Sequence, residues 1–252
     1  KLGDFYERAL YNHILSSQNP ETGMMCYFVP LRMGTKKEFS DKFNTFTCCV
    51  GTGMENHSKY VENIYNEGTD GSLYVNLFIP SQLHWKAKGV SISQTTSFPE
   101  SDKATLTIQT KTAKKFPVRV RHPWWATQGV QVKINGVKVN AVKDTHGYLA
   151  IDRLWKNNDR IEIELPMSLY TEAMPDNTNR IAVLYGPLVL AGQLGKEMPD
   201  PVYGAPVLLT DSKNVSDWVQ PAGGPLEFKL KGVGKPGDVE LAPFYKTYDQ
   251  YY

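Results

Sequence analysis

Cysteine is scarce in this 252-residue chain, which contains only Cys26, Cys48 and Cys49. Three cysteines are too few for a disulfide framework, and a bridge between the adjacent Cys48 and Cys49 would close a strained ring. We therefore expect free thiols. The neighbouring pair is the least ordinary feature of the sequence.

The sequence also lacks a long apolar run and a surplus of charge. Its longest apolar stretch, residues 181–192, is interrupted by Gly186-Pro187 and is far shorter than the ~20 residues that a membrane-spanning helix needs. Lys and Arg number 28 against 26 Asp and Glu, so neither nucleic acid nor an anionic membrane is an expected partner. The 41% of hydrophobic residues suffice for a core in one large or two small domains.

Two segments before residue 70 have the apolar spacing of helices. The first covers residues 4–16, with Asp4 as its predicted N-cap, and the second covers residues 52–66, with Thr52 as its predicted N-cap. Two helices cannot bury their own apolar faces, so we expect residues 1–70 to pack against another part of the protein.

Four side chains in these helices have both structural and functional interpretations. Glu7 and Glu55 each stand three residues after a predicted cap, and a capping box is the simpler explanation of both. His13 and His57 lie on the apolar stripes and are expected to be packed core residues rather than metal ligands.

After residue 70 the apolar spacing changes to two, which is typical of strands. The alternating segments are residues 73–79, 104–109, 116–121, 130–134, 137–139, 148–151 and 161–165. Asn135-Gly136 predicts a tight hairpin, and the continuous apolar run over residues 181–190 predicts one strand buried on both faces. We predict an α+β fold in which helices in residues 1–70 precede an antiparallel β-sandwich over 71–178 and a second, partial β-rich unit over 179–252.

The vicinal cysteines are the strongest candidates for chemistry. They precede a predicted helix N-terminus, where the helix dipole favours thiolates. Two thiolates can also bind one zinc ion, which keeps them deprotonated. The alternative is that both are small buried hydrophobes in a loop. The pattern Gly51-x-Gly53 does not indicate a nucleotide site, because a third glycine and a preceding βαβ strand are missing.

Aromatic residues offer weaker candidates for a sugar site. Tyr27 could be an ordinary strand residue. Trp124-Trp125 could stack on a sugar, but a tryptophan in the sandwich core is the more frequent arrangement.

Several motifs, taken together and in order, resemble β-L-arabinofuranosidases of glycoside hydrolase family 127 and the related family 146. The matching runs are residues 7–12 (ERALYN), 27–31 (YFVPL), 46–49 (FTCC), 118–124 (VRVRHPW), 134–136 (ING), 147–149 (GYL) and 185–188 (YGPL). Residues 48–57 (CCVGTGMENH) look closer to family 146, which is typical of Bacteroides-like glycan degraders. The resemblance covers most of residues 1–195.

This resemblance implies the end of an (α/α)6 barrel, of the DUF1680 or six-hairpin type, followed by β-sandwich modules. It implies that Cys48 is both the nucleophile and a zinc ligand, and that Cys49 is a second zinc ligand. Tyr27 would line the sugar pocket, and Glu7 would be a catalytic glutamate close to the nucleophile. The implied reaction is retaining hydrolysis of terminal arabinofuranosides. The substrate would be a neutral glycan, which is consistent with the balanced charge of the chain.

The sequence departs from the family pattern upstream of the cysteine pair. The other zinc ligands and the general acid/base of the family belong there, and only 47 residues precede Cys48. Glu21 and Cys26 do not have the required spacing. We therefore expect the C-terminal portion of a larger enzyme that is inactive without the rest of its catalytic domain. By analogy, a periplasmic or extracellular location is expected.

Two other functions remain open at this point. One is a non-catalytic carbohydrate-binding or scaffold β-sandwich in which the cysteines are inert. The other is a thiol-dependent or metal-storage protein, which is disfavoured because the sequence has neither a CxxC motif nor a histidine-rich tract.

Overall fold

The computed structural model describes residues 2–45, 47–200 and 204–252, and Lys1, Phe46 and residues 201–203 lie outside this description. The described residues form few helices and many strands, arranged in two compact units. One unit comprises Lys1–Phe5 and Lys59–Met167, and the other comprises Tyr6–Ser58 and Ser168–Tyr252. A β-rich organisation with more than one unit is thus confirmed, whereas the three predicted domain boundaries stay predictions.

The α-helices of the described residues lie near the N-terminal end of the sequence. They are α1 (Leu2–Ala9), α2 (Cys48–Lys59) and α3 (Val61–Ile64). After α1 the chain continues as a π-helix, Leu10–Ile14, and a 3-10 turn, Leu15–Ser17. Further 3-10 turns are Lys86–Lys88, Val215–Asp217 and Phe244–Lys246.

The first unit contains two β-sheets. Its strands are β1 (Tyr65–Glu67), β2 (Leu73–Val75), β3 (Ser81–Trp85), β4 (Val90–Thr96), β5 (Lys103–Thr110), β6 (Lys114–Arg121), β7 (Gln131–Ile134), β8 (Val137–Val139), β9 (Val142–Lys143), β10 (Tyr148–Trp155) and β11 (Arg160–Glu164). The sheet orders are β1-β2-β6-β10-β9 and β3-β4-β5-β11-β7-β8. Trp85 of the second sheet contacts Phe116 of the first at a centroid distance of 5.3 Å, so the two sheets share one core.

The strands predicted from residue 104 onward are confirmed, but β1, β3, β4 and β9 lie outside the predicted strand segments, and the strand predicted over residues 73–79 ends at Val75. Inward positions such as Leu106, Val118 and Ile161 are essentially inaccessible to solvent, while the alternate positions are more exposed. The hairpin at Asn135-Gly136 joins β7 to β8, and both turn residues have positive φ values of 51° and 81°. The expectation of a purely antiparallel sandwich is wrong for β2, which pairs with β6 in parallel.

The second unit is built on a six-stranded antiparallel sheet and a two-stranded sheet. Its strands are β12 (Leu169–Ala173), β13 (Ile181–Tyr185), β14 (Leu188–Gly192), β15 (Val207–Leu208), β16 (Val219–Pro221), β17 (Phe228–Leu230), β18 (Gly234–Lys235) and β19 (Glu240–Pro243). The larger sheet has the order β12-β13-β14-β19-β17-β16, and β15 pairs with β18. Its core contains Val183, Leu190, Trp218, Phe228 and Leu241.

The single buried strand predicted over residues 181–190 is instead a hairpin of β13 and β14. Gly186 adopts a positive φ of 54°, and Tyr185 pairs directly with Leu188. Glycine tolerates this left-handed backbone, and Pro187 has no N–H to continue a ladder, so the two residues form a turn. Ile181 at the start of the run is 39% exposed.

Both predicted helix caps are wrong. Helix α1 begins at Leu2, which places Asp4 within its first turn, where the carboxylate pairs with Arg121 at 2.9 Å. Helix α2 begins at Cys48, so Thr52 lies inside it and donates its hydroxyl hydrogen to the Cys48 carbonyl. The capping explanation of Glu7 and Glu55 fails with them, because both lie well inside their helices.

The apolar stripes assigned to the two helical segments are also only partly buried. His13, expected in a core, is exposed, and His57 is half-buried. Met54 and Val61 are 51% and 75% exposed, although Ile64 of the same stripe is buried. Helical spacing therefore identified the helices but not the faces that are covered in this structure.

Candidate active site

The N-terminus of α2 presents Cys48 and Cys49 as its first two residues. The Thr47 carbonyl accepts hydrogen bonds from the backbone N–H groups of Val50 and Gly51, at 3.1 and 3.3 Å, and so closes the first turn. Both thiols are free and exposed. The alternative that they are small buried hydrophobes is therefore wrong, and the positive end of the helix dipole lies beside them.

The two sulfur atoms are close enough to interact. Their Sγ–Sγ separation is 3.9 Å. The hydrogen bond with Cys48 raises the pKa of Cys49, and partial desolvation and the neighbouring sulfur charge act in the same direction. Two thiolates at this distance repel each other unless a cation lies between them.

The geometry of the pair fits two corners of a zinc site. Tetrahedral zinc with Zn–S bonds of about 2.3 Å separates two sulfurs by about 3.8 Å, close to the separation of Cys48 and Cys49. In the part of the chain that the structure describes, no group of three or more His, Cys, Asp or Glu side chains is placed to hold a metal ion. The pair could thus supply two ligands of a zinc site.

Tyr27 lies beside both thiols. Its phenol is 42% exposed, and the charges of Cys48 and Cys49, together with hydrogen bonds to both sulfurs, raise its pKa. The Phe28 ring packs edge-on against Tyr27 at 4.4 Å between centroids. The structure therefore brings together three of the four site residues named from the sequence.

A close helix-to-segment contact places Tyr27 next to α2. Met25, two residues before Tyr27, is 1% exposed and lies over Gly53 of α2. A Cβ atom at position 53 would lie only 2.5 Å from the Met25 Cε atom. Glycine at this position allows the segment to approach the helix, a role unrelated to phosphate binding.

Glu7, the fourth named residue, is buried in α1 with 1% exposure. Burial, the charge of Glu172 and, to a smaller extent, the charge of Glu7 raise the pKa of Tyr170, against the opposing charge of Arg8. The Tyr170 hydroxyl donates to the Gly186 carbonyl at 3.0 Å. A buried carboxylate beside a phenol can take part in proton transfer, but a position of Glu7 close to the nucleophile stays a prediction.

The remaining candidates from the sequence, Trp124, Trp125 and Cys26, differ in their exposure to solvent. Trp125 is 2% exposed and stacks on Phe98 at 6.0 Å, so it belongs to the sandwich core, whereas Trp124 is 44% exposed. The two cannot form one joint platform. Cys26 is buried and donates its S–H to the Phe28 carbonyl at 2.7 Å, so it supports the Tyr27 segment.

Two residues important to this region were not found from the sequence. Lys37 is 4% exposed, and Tyr252 contacts the same segment of the chain. Lys37 stands in the polar run Lys36-Lys37-Glu38, which has the composition of a solvated surface. It is distinguished by its contacts with Phe244, 207 positions along the chain, and with the ring of Tyr252.

Across residues 2–45, 47–200 and 204–252, the helices are all too short or too polar to cross a bilayer.

Comparison with known proteins assigns the chain to a family. Residues 1–62 match the model of the β-L-arabinofuranosidase GH127 catalytic domain, and residues 72–167 match the model of the GH127 middle domain. None of the curated protein sequences matches the chain.

Solved structures support the same relationship at the level of the fold. A GH127 β-L-arabinofuranosidase from Geobacillus stearothermophilus T6 is 22% identical, with a TM-score of 0.76 over 98% of this chain and 44% of that chain. A glycoside hydrolase is 19% identical, with a TM-score of 0.71 over 99% of this chain and 46% of that chain. A GH127 β-arabinofuranosidase is 21% identical, with a TM-score of 0.67 over 98% and 43%.

The chain spans less than half the length of each of these structures, and it carries the two family domains in the order catalytic, then middle. With both domain models matched and the paired cysteines lying inside the first, the chain belongs to glycoside hydrolase family 127, the family of the β-L-arabinofuranosidases.

Proposed function

We propose that this chain is the C-terminal portion of a retaining β-L-arabinofuranosidase whose nucleophile is Cys48. The observation that carries the proposal is the exposed Cys48-Cys49 pair at the start of α2, with Tyr27 beside both thiols. All three residues lie within the stretch matched by the GH127 catalytic domain.

Zinc is the proposed metal of this site. Cys48 and Cys49 would hold it, and the remaining ligands would come from a preceding part of the catalytic domain. When bound, zinc supplies the positive charge that keeps both thiols deprotonated at neutral pH.

The proposed reaction proceeds by two displacements at the anomeric carbon. In the first, the Cys48 thiolate forms a carbon–sulfur bond as the glycosidic carbon–oxygen bond breaks, and a general acid protonates the leaving oxygen. In the second, water attacks the same carbon, gives a proton to the general base and releases Cys48 as a thiolate. Two inversions leave the anomeric configuration unchanged.

The other named residues would support these steps. Tyr27 would line the pocket, where its ring can pack against the sugar and its hydroxyl can bond to a sugar oxygen. Glu7 would be a catalytic carboxylate close to the nucleophile. The general acid/base is expected on the preceding part of an (α/α)6 barrel, of which α1 and α2 would be late helices.

The substrate class follows from the family. Terminal arabinofuranosides of an arabinose-containing glycan are proposed as the substrate, and a periplasmic or extracellular location as the site of action. On this proposal the 252 residues alone lack the general acid and two zinc ligands, so they would not turn over substrate.

The test compares this chain with its full-length parent. Bound zinc and release of L-arabinose from an aryl β-L-arabinofuranoside are measured for both, and we expect zinc and turnover only in the parent. In the parent, Cys48→Ala should abolish release, whereas Ser58→Ala, an exposed position on the same helix, should leave it unchanged. An arabinosyl adduct on Cys48 in peptide mass spectra would identify the nucleophile. Normal turnover by Cys48→Ala, or by the 252 residues alone, would contradict the proposal.

A carbohydrate-binding sandwich is the second candidate, supported by the exposed Trp124. It requires that glycan binding survive Cys48→Ala and be lost in Trp124→Ala. The opposite pattern would exclude it.

A further inference from the structure

The described residues between the 3-10 turn Leu15–Ser17 and α2 include Tyr27 and form neither a helix nor a named strand. Its regular backbone pairing is limited to isolated bridges, of which Cys26 with Phe39 is one. A side chain on such a segment is held in place only if other contacts fix the backbone. Besides the packing of Met25 on Gly53, several of the contacts that do so come from residues near the end of the sequence.

Tyr252 binds this segment through its backbone and its side chain. The Gly34 N–H donates to the Tyr252 carbonyl at 2.6 Å, and the Tyr252 N–H donates to the Thr35 carbonyl at 3.0 Å. The Tyr252 hydroxyl donates to the Pro30 carbonyl at 2.7 Å, only three residues after Tyr27.

Lys37 adds a buried cation to the same contact. Its ammonium Nζ donates to the Phe244 carbonyl at 2.7 Å and lies 4.1 Å from the centroid of the Phe244 ring. The Tyr252 ring is 5.7 Å from the same nitrogen and packs edge-on against Phe244. A carbonyl oxygen and two aromatic faces compensate part of the desolvation cost of this ammonium group.

A short backbone ladder links residues that follow Lys37 to residues that precede Tyr27. Beyond the bridge between Cys26 and Phe39, the Ser40 N–H donates to the Met25 carbonyl at 2.9 Å. The Cys26 thiol donates to the Phe28 carbonyl and so braces both sides of Tyr27. Residues 39–40 thus pair with residues 25–26, immediately before the tyrosine, and Lys37 lies two positions before Phe39.

We propose that Phe244 and Tyr252 form a positioning element of the catalytic site. They contact Lys37 and Pro30, and these contacts hold Tyr27 beside the two vicinal cysteines. The inference rests on the proposed function for the role of Tyr27, and it assigns a task to a region to which no family-domain match extends. Phe244, Tyr252 and Lys37 do not touch the reacting atoms, so they act through Tyr27.

Tyr252→Phe tests the proposal with the removal of a single oxygen. A 3-fluorotyrosine introduced at position 27 reports the surroundings of that ring as a ¹⁹F chemical shift in the 252-residue chain, without any need for catalysis. We expect the resonance to move or broaden in Tyr252→Phe. Tyr251→Phe is the matched control, because the Tyr251 backbone bonds to Leu194 and Gly195 and its ring contacts Lys36, and within the described part of the chain its hydroxyl makes no hydrogen bond to Pro30.

Lys37→Met provides a second perturbation of the same contact, since it keeps the length of the side chain and removes the charge and the donor. Unchanged ¹⁹F spectra in both Tyr252→Phe and Lys37→Met would overturn the proposal, as would equal changes in Tyr252→Phe and Tyr251→Phe. If Lys37→Met does not fold, the two tyrosine variants still decide.

Kinetics in the full-length parent separate positioning from a purely structural role. Loss of one hydrogen bond that orients a pocket residue should raise KM for an arabinofuranoside about five-fold while kcat changes little. If the apparent kcat instead falls in proportion to the folded fraction of the variant while KM stays constant, the substitution affects stability alone, and this result would contradict the proposal. If the parent releases no arabinose, the proposed function fails, whereas the ¹⁹F result still decides the positioning.

Discussion

At the scale of single residues, the three cysteines show how surroundings decide chemistry. Burial raises the pKa of the Cys26 thiol, whose hydrogen is held by the Phe28 carbonyl, so this sulfur is a poor nucleophile. Cys48 and Cys49 are exposed at the N-terminus of a twelve-residue helix. The same side chain is therefore a structural group in one place and a candidate nucleophile or metal ligand in the other.

Lys37 gives a prediction for the pH dependence of stability. Burial lowers its pKa from 10.5 to about 8, against the opposing effect of the nearby Cys26. The folded-state pKa lies below the unfolded one, so between these values the unfolded chain binds more protons and stability rises with pH. Below pH 8 the lysine is charged in both states and the full cost of burying it is present. Its contribution should improve by on the order of 3 kcal/mol from pH 8 to 10.5.

The measurement compares urea unfolding of the wild type and Lys37→Met at pH 7, 8, 9 and 10. The variant has no ammonium group to desolvate, so the stability difference should shift in favour of the wild type as pH increases. The raised pKa values of Cys26 and Tyr252 act in the opposite direction in both proteins, so the difference reports Lys37 together with its charge interaction with Cys26. A difference that does not vary with pH would contradict the assignment.

At the scale of elements, the contact between α2 and the Tyr27 segment depends on Gly53. An added Cβ would press on Met25, whose Cε and Cγ atoms would lie 2.5 and 3.3 Å away, and Met25 is too buried to move aside freely. Gly53→Ala gains about 1 kcal/mol of helix propensity. Overpacking typically costs about 1–3 kcal/mol, which is more than the gain in helix propensity. We therefore expect Gly53→Ala to lower the free energy of unfolding by about 1 kcal/mol.

A double-mutant cycle checks the physical cause. In a Met25→Ala background the clash is removed, so Gly53→Ala should become stabilising by about 1 kcal/mol. Free energies of unfolding from urea titrations measure all four proteins. If Gly53→Ala changes the free energy of unfolding in the same direction in both backgrounds, close packing of Met25 is not the reason for glycine at position 53.

At the scale of the whole molecule, each compact unit is built from two separated stretches of the chain. In the second unit, Asn12 in the π-helical turn joins the stretches. Its side-chain N–H groups donate to the carbonyls of Arg8 and Pro187 at 2.9 and 2.8 Å, and its Oδ1 accepts from the Val189 N–H at 2.7 Å. These bonds attach residues 6–58 to the turn between β13 and β14.

Asn12→Ala should therefore destabilise the hairpin of β13 and β14 rather than its own helix alone. Leaving the Pro187 carbonyl and the Val189 N–H without this partner should cost about 2–3 kcal/mol. Hydrogen exchange followed by mass spectrometry should show faster exchange in peptides covering residues 181–192. Protection in the β-sandwich of the first unit should not change.

Arg8→Ala is the matched control for this prediction. Arg8 forms an ion pair with Glu172 across the same two stretches, but both side chains are substantially exposed, so the loss should stay below about 1 kcal/mol. Equal effects of Asn12→Ala and Arg8→Ala would show that the amide is not the principal connection.

Much of the secondary structure could be predicted because it follows from short-range periodicity. Alternation located seven strands of the sandwich but missed β1, β3, β4 and β9, and Asn135-Gly136 located the β7–β8 turn, since both signals depend on neighbouring residues. Helix starts were misplaced because Asp4 and Thr52 have good capping chemistry but different partners in the folded chain. The run over residues 181–190 was misassigned because an apolar hairpin and a buried strand have the same composition.

By itself, the sequence determined the family, the free vicinal cysteines and the β-rich class, because motifs and alternation are properties of consecutive residues. Only the tertiary structure decided that Tyr27 lies beside the two thiols, that Gly53 admits Met25, and that Lys37 is a buried cation. These facts depend on contacts between residues that are far apart in sequence. Local composition does not specify which distant carbonyl, ring or thiol the folded chain brings to a side chain.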